Sequence, residues 1–103
     1  MSTTAAHAFH LARLFTPIYA TRVNARIVYP ATATVVKPTD LVSALARPLH
    51  VMTYEPHRDA AFLATLAYGL IQGRHPFLDG NKRTAFFVMN EYLRAQGILG
   101  FSD

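Results

Sequence analysis

The stretch HPFLDGNKRT, residues 75–84, decides the fold because helical patterns flank it on both sides. The apolar run at residues 60–72 predicts a helix with Asp59 as its N-cap. A second apolar pattern, with the spacing of one helix face, predicts a helix at residues 84–96. The stretch therefore forms the connection between two helices, which excludes a β-hairpin at its Asp-Gly pair.

Two adjacent cations, Lys82 and Arg83, fall at the predicted start of the second helix. Positive side chains are disfavoured there because the helix dipole already makes the potential positive. Unpaired backbone amides together with fixed cations are typical of a phosphate site. Gly80 would let the backbone approach a ligand, and Asn81 would add an amide donor. The alternative is that Lys82 and Arg83 form a solvated basic pair.

His75 and Asp79 are the candidate reactive side chains of the stretch. Histidine is the side chain whose ordinary pKa lies nearest neutral pH, so His75 is a candidate general base. Its alternative role is to cap helix carbonyls. Asp79 could bind Mg²⁺, which typically takes one or two carboxylates and phosphate oxygens, or it could belong to a plain turn. Phe77 is expected to point into the core and hold the loop.

Composition limits the class of protein. The chain has 103 residues, of which 51% are hydrophobic and 16% charged, as in a compact domain. No apolar stretch reaches the ~20 residues that span a bilayer. The net charge of +4 comes mainly from arginines that are scattered, and nucleic-acid surfaces are clustered, so nucleic acid is not the expected partner.

Cysteine usage bears on the compartment. The chain contains no cysteine, which fits a reducing environment, so we expect a cytoplasmic protein. The first 39 residues contain no Asp or Glu. Such a start also resembles an organellar targeting peptide, although a chain with only six acids often leaves its first third without one.

The part of the chain before the stretch predicts shorter elements. We expect a helix at residues 5–15 that ends at Pro17, and an extended or loop-like segment at residues 26–36. A short helix at residues 41–46 would be capped by Thr39 or Asp40 and stopped by Pro48.

After Pro48, an extended segment is predicted at Leu49, His50, Val51, Met52, Thr53 and Tyr54. Glu55 would end it, because the following proline disfavours helix in the residue before it. At the other end, the chain stops soon after the second motif-flanking helix. That abrupt end is typical of a domain whose C-terminal portion is missing.

The stretch at residues 75–84 closely resembles the signature of the Fic/Doc (Fido) superfamily, in the Asn-Lys-Arg form of its death-on-curing branch. Residues 40–48 (DLVSALARP) resemble the segment before the family's flap. Residues 66–72 (LAYGLIQ) resemble its pre-motif helix, and residues 91–97 (EYLRAQG) also match. The resemblance is strongest over residues 38–97.

The resemblance implies one mainly helical (all-α) Fido-type domain over residues 1–103, with a short extended flap at residues 49–54. It implies an enzyme that uses ATP and Mg²⁺ to modify a hydroxyl on a protein. Carried over to this chain, His75 is the general base and Asp79 binds the metal. The phosphate-binding residues are Gly80, Asn81, Lys82 and Arg83. The flap would dock the target by strand addition.

Two departures refine this expectation. Members that transfer AMP have glycine where this chain has Lys82, and a second arginine where it has Phe86. The resemblance to Doc-like toxins therefore implies reversed nucleotide placement and phosphoryl transfer, as in a kinase. The family's self-inhibitory pattern is not found in this sequence, so inhibition within the chain is not expected, and an antitoxin-like partner in trans, or none, would supply it. The alternatives are AMP transfer (a nucleotidyltransferase) and a non-catalytic, degenerate binding module.

Overall fold

The computed structural model describes residues 12–97 and bounds four α-helices within them. These helices are α1 (Pro17–Val28), α2 (Pro38–Tyr54), α3 (Ala60–Arg74) and α4 (Asn81–Ala95). Among the described residues the one β feature is a single antiparallel bridge between Val35 and Phe77. The prediction of a mainly helical domain is therefore confirmed. In the same range no helix has the length and apolar character needed to cross a bilayer.

Helix α1 differs from the prediction, in which Pro17 only ends an earlier helix. Pro17 instead lies in the first turn of α1, where its missing N–H has no helical partner to lose. The hydroxyl of Thr16 caps this turn by accepting from the N–H of Tyr19 at 3.2 Å. Of the helix predicted at residues 5–15, residues 12–14 are helical, Phe15 is not, and residues 5–11 lie outside the described residues.

Helix α2 corrects two further predictions. It begins at Pro38 rather than after a Thr39 or Asp40 cap, and it runs through Pro48 to Tyr54. Burial explains the continuation, since one face of α2 is buried along its length at Leu41, Ala44, Leu45, Pro48 and Val51. This packing outweighs the backbone hydrogen bond that a proline removes from a helix interior.

Helices α3 and α4 form the centre of the domain. As predicted, Asp59 caps α3, and its Oδ1 accepts from the N–H of Phe62 at 2.9 Å. Helix α3 packs against both α2 and α4, and α1 packs against α4. Tyr92 of α4 is fully buried, with its ring 5.5 Å from that of Phe15. Burial raises the pKa of Tyr92 to about 12.

Candidate functional site

Residues 75–80, called the motif loop below, connect α3 to α4. His75 ends α3 in the left-handed conformation (φ 52°, ψ 56°), and its main-chain N–H donates to Ile71 O at 3.3 Å. A non-glycine residue held in this conformation costs about 1–3 kcal/mol and is often found at functional sites. The imidazole is exposed and forms no hydrogen bond with the described residues. The helix carbonyl is capped by another residue, since Lys37 Nζ donates to Arg74 O at 3.3 Å.

Gly80 precedes α4 and also adopts a left-handed conformation (φ 74°). A Cβ added at this position would lie 2.9 Å from Val28 Cγ1 and 3.1 Å from Asn24 Nδ2. Real Cβ contacts do not reach 2.9 Å, so position 80 requires glycine for two independent reasons. The sequence predicted a close approach of this glycine to a ligand. The close approach seen is to helix α1.

Asn81 uses its side chain to hold the motif loop. Its Oδ1 accepts from the N–H of Phe77 at 2.9 Å, and its Nδ2 donates to the carbonyl of Phe77 at 2.8 Å. Phe77 is itself buried, as predicted for a residue that pins the loop. The amide of Asn81 is thus engaged within the protein, and its main-chain N–H at the helix start is what it can offer to an anion.

Lys82 and Arg83 lie within the first turn of α4, because the helix begins at Asn81 rather than at Thr84. Both side chains are exposed, and this turn holds no acidic residue. Arg83 Nη2 donates to the carbonyl of Ile27, near the end of α1, at 2.9 Å. The first N–H groups of an α-helix have no partner within the helix. Cations and free amides therefore meet at the start of α4, which is the arrangement of an anion site.

Asp79 is exposed at the tip of the motif loop. Its Oδ1 accepts from the N–H of the next residue, Gly80, at 2.7 Å. The described residues contain no cluster of three or more side chains that could enclose a metal ion. A single carboxylate fits Mg²⁺ bound mainly through phosphate oxygens and water, since that hard cation keeps several waters. The donor set is therefore compatible with Mg²⁺ carried in with a nucleotide.

The predicted flap is wrong in its conformation. Leu49, His50, Val51, Met52, Thr53 and Tyr54 belong to α2, so they offer no extended edge to a target chain. The segment that runs beside the motif loop is residues 31–37. There the N–H of Val36 donates to Pro76 O at 2.8 Å, and the N–H of Leu78 donates to Thr34 O at 2.9 Å.

A cavity of about 830 Å³ lies along the outer face of α4. The end of α1 and Tyr68 of α3 also line it. Its lining includes four basic residues, three aromatic residues and one acidic residue: Arg26, Lys82, Arg83 and Arg94, then Tyr68, Phe86 and Phe87, and Glu91. Within the described part of the chain, no acidic side chain forms an ion pair with these cations. A concave surface with an excess of positive charge favours an anion that also carries an apolar or aromatic part.

Helix α1 contributes two residues that the sequence analysis did not single out. Asn24 is buried and donates through Nδ2 to the carbonyl of Asp79 at 2.8 Å and to Thr84 Oγ1 at 3.1 Å. Arg26 lines the cavity. Nothing in the local pattern marks either residue, because α1 lies far from the motif in sequence and only folding brings them together.

Comparison with known families shows the family of the chain. The sequence model of the Fic/DOC family matches residues 3–93 of the 103-residue chain. The chain therefore belongs to the Fic/DOC family. No curated protein and no solved structure is significantly similar to it.

Proposed function

We propose that this protein transfers the γ-phosphoryl group of ATP to a hydroxyl of a protein target, in the manner of the death-on-curing branch. The observation that carries the proposal is the position of the α4 cavity relative to the motif loop. The cavity begins at Lys82 and Arg83 in the first turn of α4 and continues to Arg94 in its last turn. Neither His75 nor Asp79 lines it.

This placement favours one orientation of a bound nucleotide. The phosphates are drawn to the N-terminal turn of α4 by its amides and cations. The base and ribose then enter the cavity, where aromatic rings are available for stacking. With the base directed along α4, away from the motif loop, the terminal phosphate is the one that faces His75. That orientation supports phosphoryl transfer over AMP transfer.

The chemical step follows from the exposed groups around the loop. His75 accepts the proton of the target hydroxyl as the hydroxyl oxygen forms a bond to the γ-phosphorus. The bond from that phosphorus to the β–γ bridging oxygen breaks, and ADP leaves with the electron pair. Lys82 and Arg83 stabilise negative charge on the phosphates, since such transfer depends mainly on positioning and electrostatics. Asp79 would hold Mg²⁺, which supplies further neutralisation of phosphate charge when bound.

The target would dock on the free edge of residues 31–37. Thr34 and Val36 direct main-chain groups toward the motif loop, so Ala33 and Val35 direct theirs away from it. No described residue pairs with those outward groups. An extended target segment that pairs there would lie beside the loop that carries His75. An antitoxin-like protein is the proposed inhibitor of this activity.

Incubation with ATP labelled on the γ-phosphate and a cell lysate tests the proposal. We expect label on protein, which is lost in His75→Ala. A protein that binds ATP but labels nothing, in lysates from several hosts, would favour the non-catalytic binding module. Orientation is tested by cross-linking with 8-azido-ATP, which should modify the cavity face of α4. Cross-links confined to the motif loop and to residues 31–37 would favour AMP transfer.

A further inference from the structure

Asn24 of α1 is almost completely buried, with 1% of its surface exposed. Both hydrogen bonds donated by its side-chain amide go to residues of the motif region. Nδ2 donates to the carbonyl of Asp79 at 2.8 Å and to Thr84 Oγ1 at 3.1 Å. These acceptors lie 55 and 60 residues further along the chain. The amide therefore donates to one residue before the start of α4, Asp79, and to one within its first turn, Thr84.

The carbonyl that accepts from Asn24 belongs to the Asp79–Gly80 peptide group, whose N–H also forms a hydrogen bond. The same planar unit carries the N–H of Gly80, which donates to Asp79 Oδ1 at 2.7 Å. A continuous path thus runs from the amide of Asn24, through one peptide plane, to the carboxylate of Asp79. Because the unit is rigid, holding its carbonyl also fixes the direction of its N–H.

We propose that Asn24 is a positioning residue that fixes the rotamer of the Asp79 carboxylate through the Asp79–Gly80 peptide group. Glycine has wide conformational freedom, so without this hydrogen bond the peptide plane at Gly80 can rotate. The carboxylate would then lose the N–H that orients it. Packing against Asn24 and Val28 also leaves Gly80 no room to move toward α1.

The consequence for Mg²⁺ rests on the proposed function. A carboxylate that is already oriented loses less side-chain freedom when it binds a cation. In Asn24→Leu, which has a similar volume and no donor, we expect the Mg²⁺ concentration for half-maximal ATP binding to rise about five- to tenfold, while metal-free ATP binding is unchanged. Thr84→Val is the matched control, because it removes the other hydrogen bond of the same amide and leaves the bond to Asp79.

Positioning can be measured without any nucleotide. In the unmutated protein, NMR should show the Gly80 amide protected from solvent exchange and Asp79 in one χ1 rotamer. In Asn24→Leu the exchange rate of Gly80 should rise at least about fivefold, as expected for a lost hydrogen bond. In Thr84→Val the rate should stay within about twofold of its original value.

The outcomes separate this inference from the proposed function. If the unmutated protein shows Asp79 averaged over rotamers, or Gly80 exchanging as in an unfolded chain, the positioning role is overturned, even if Asn24→Leu does not fold. Equal protection of Gly80 in the unmutated protein and in Asn24→Leu would also overturn it. Lost protection with an unchanged Mg²⁺ requirement would support the positioning role and overturn the assignment of Asp79 to the metal.

Discussion

The side-chain amide of Asn81 forms two hydrogen bonds with one residue, Phe77: it accepts from the N–H at 2.9 Å and donates to the carbonyl at 2.8 Å. This amide satisfies the main-chain N–H and carbonyl of the buried Phe77, and so it fixes the loop between α3 and α4 in place of a helix or strand partner. The next side chain, Lys82, is exposed. Adjacent residues of one motif thus differ in environment: Asn81 holds the loop, and Lys82 is exposed to solvent.

The first prediction separates these roles by stability. Asn81→Ala leaves two main-chain groups of Phe77 without partners, so the free energy of unfolding should fall by about 2 kcal/mol or more. Lys82→Ala should change it by less than ~0.5 kcal/mol, as is usual for surface substitutions. Urea denaturation followed by circular dichroism measures both. Equal losses in the two variants would contradict the division of roles.

A second prediction concerns Gly80. Gly80→Ala places a Cβ 2.9 Å from Val28 at a positive φ, so we expect a loss of at least about 1–3 kcal/mol of stability. Gly69→Ala is the control, since Gly69 lies inside α3 with nothing within 4 Å of an added Cβ. That change should stabilise the helix by up to ~1 kcal/mol. If both alanine variants melt at or above the original temperature, the tight packing of Gly80 against α1 is wrong.

The third prediction concerns the proposed base. His75→Ala should abolish transfer while ATP affinity changes less than about twofold, because a base acts in the chemical step. His75→Asn gives a second test, since asparagine tolerates the left-handed conformation but cannot act as a base at neutral pH. Calorimetric ATP titration and label transfer measure the two properties separately. Parallel losses of binding and turnover in both variants would make His75 a structural residue.

The fourth prediction concerns the proposed metal ligand. ATP binding should be much tighter with Mg²⁺ than without it, and Asp79→Asn should remove most of that gain, because a neutral amide is a poorer ligand for this cation. The side chain is exposed, so the variant should keep its fold. The control is ATP binding in excess EDTA, where the two proteins should be equal. Unchanged, metal-independent affinity in Asp79→Asn would remove Asp79 from the site.

Helices α3 and α4 could be predicted because their signals are local. Asp59 bonds to the N–H of Phe62 within the same turn, and apolar spacing marks the rest. The helix end predicted at Pro48 was wrong because burial decides the effect of this proline: the buried face of α2 continues through Pro48 to Val51. Propensity predicts a helix end at such a position, and tertiary packing overrode it.

The candidate site also contains residues that the local sequence predicts and residues that it does not. Residues 75–84 could be identified from a short pattern, since a loop with cations at a helix start has a chemical meaning of its own. The contribution of α1 could not, because Asn24 reaches the motif only after folding. The flap prediction failed because residues 49–54 continue α2, whose buried face extends to Val51. The extended or loop-like segment predicted at residues 26–36 is wrong for its first three residues, since α1 ends at Val28, and farther along the N–H of Val36 donates to Pro76 O.

Lys82 is the residue that most directly separates the two chemistries. A lysine in the first turn of α4 adds a charged four-carbon side chain where glycine would leave open space for phosphates. Lys82→Gly should therefore lose phosphoryl transfer. Any gain of AMP transfer should be weak, because this chain has Phe86 where the resemblance implies a second arginine in members that transfer AMP. Since the glycine can cost up to ~1 kcal/mol of helix stability, the fold is checked by circular dichroism first.

The most direct test compares ATP labelled on the α-phosphate with ATP labelled on the γ-phosphate, using the unmutated protein, Mg²⁺ and a lysate that contains the target. The account predicts that γ-label appears on the target protein, that α-label does not, and that Lys82→Gly removes the γ-signal. Transfer of α-label by the unmutated protein, or γ-transfer at the original rate in Lys82→Gly, would contradict it.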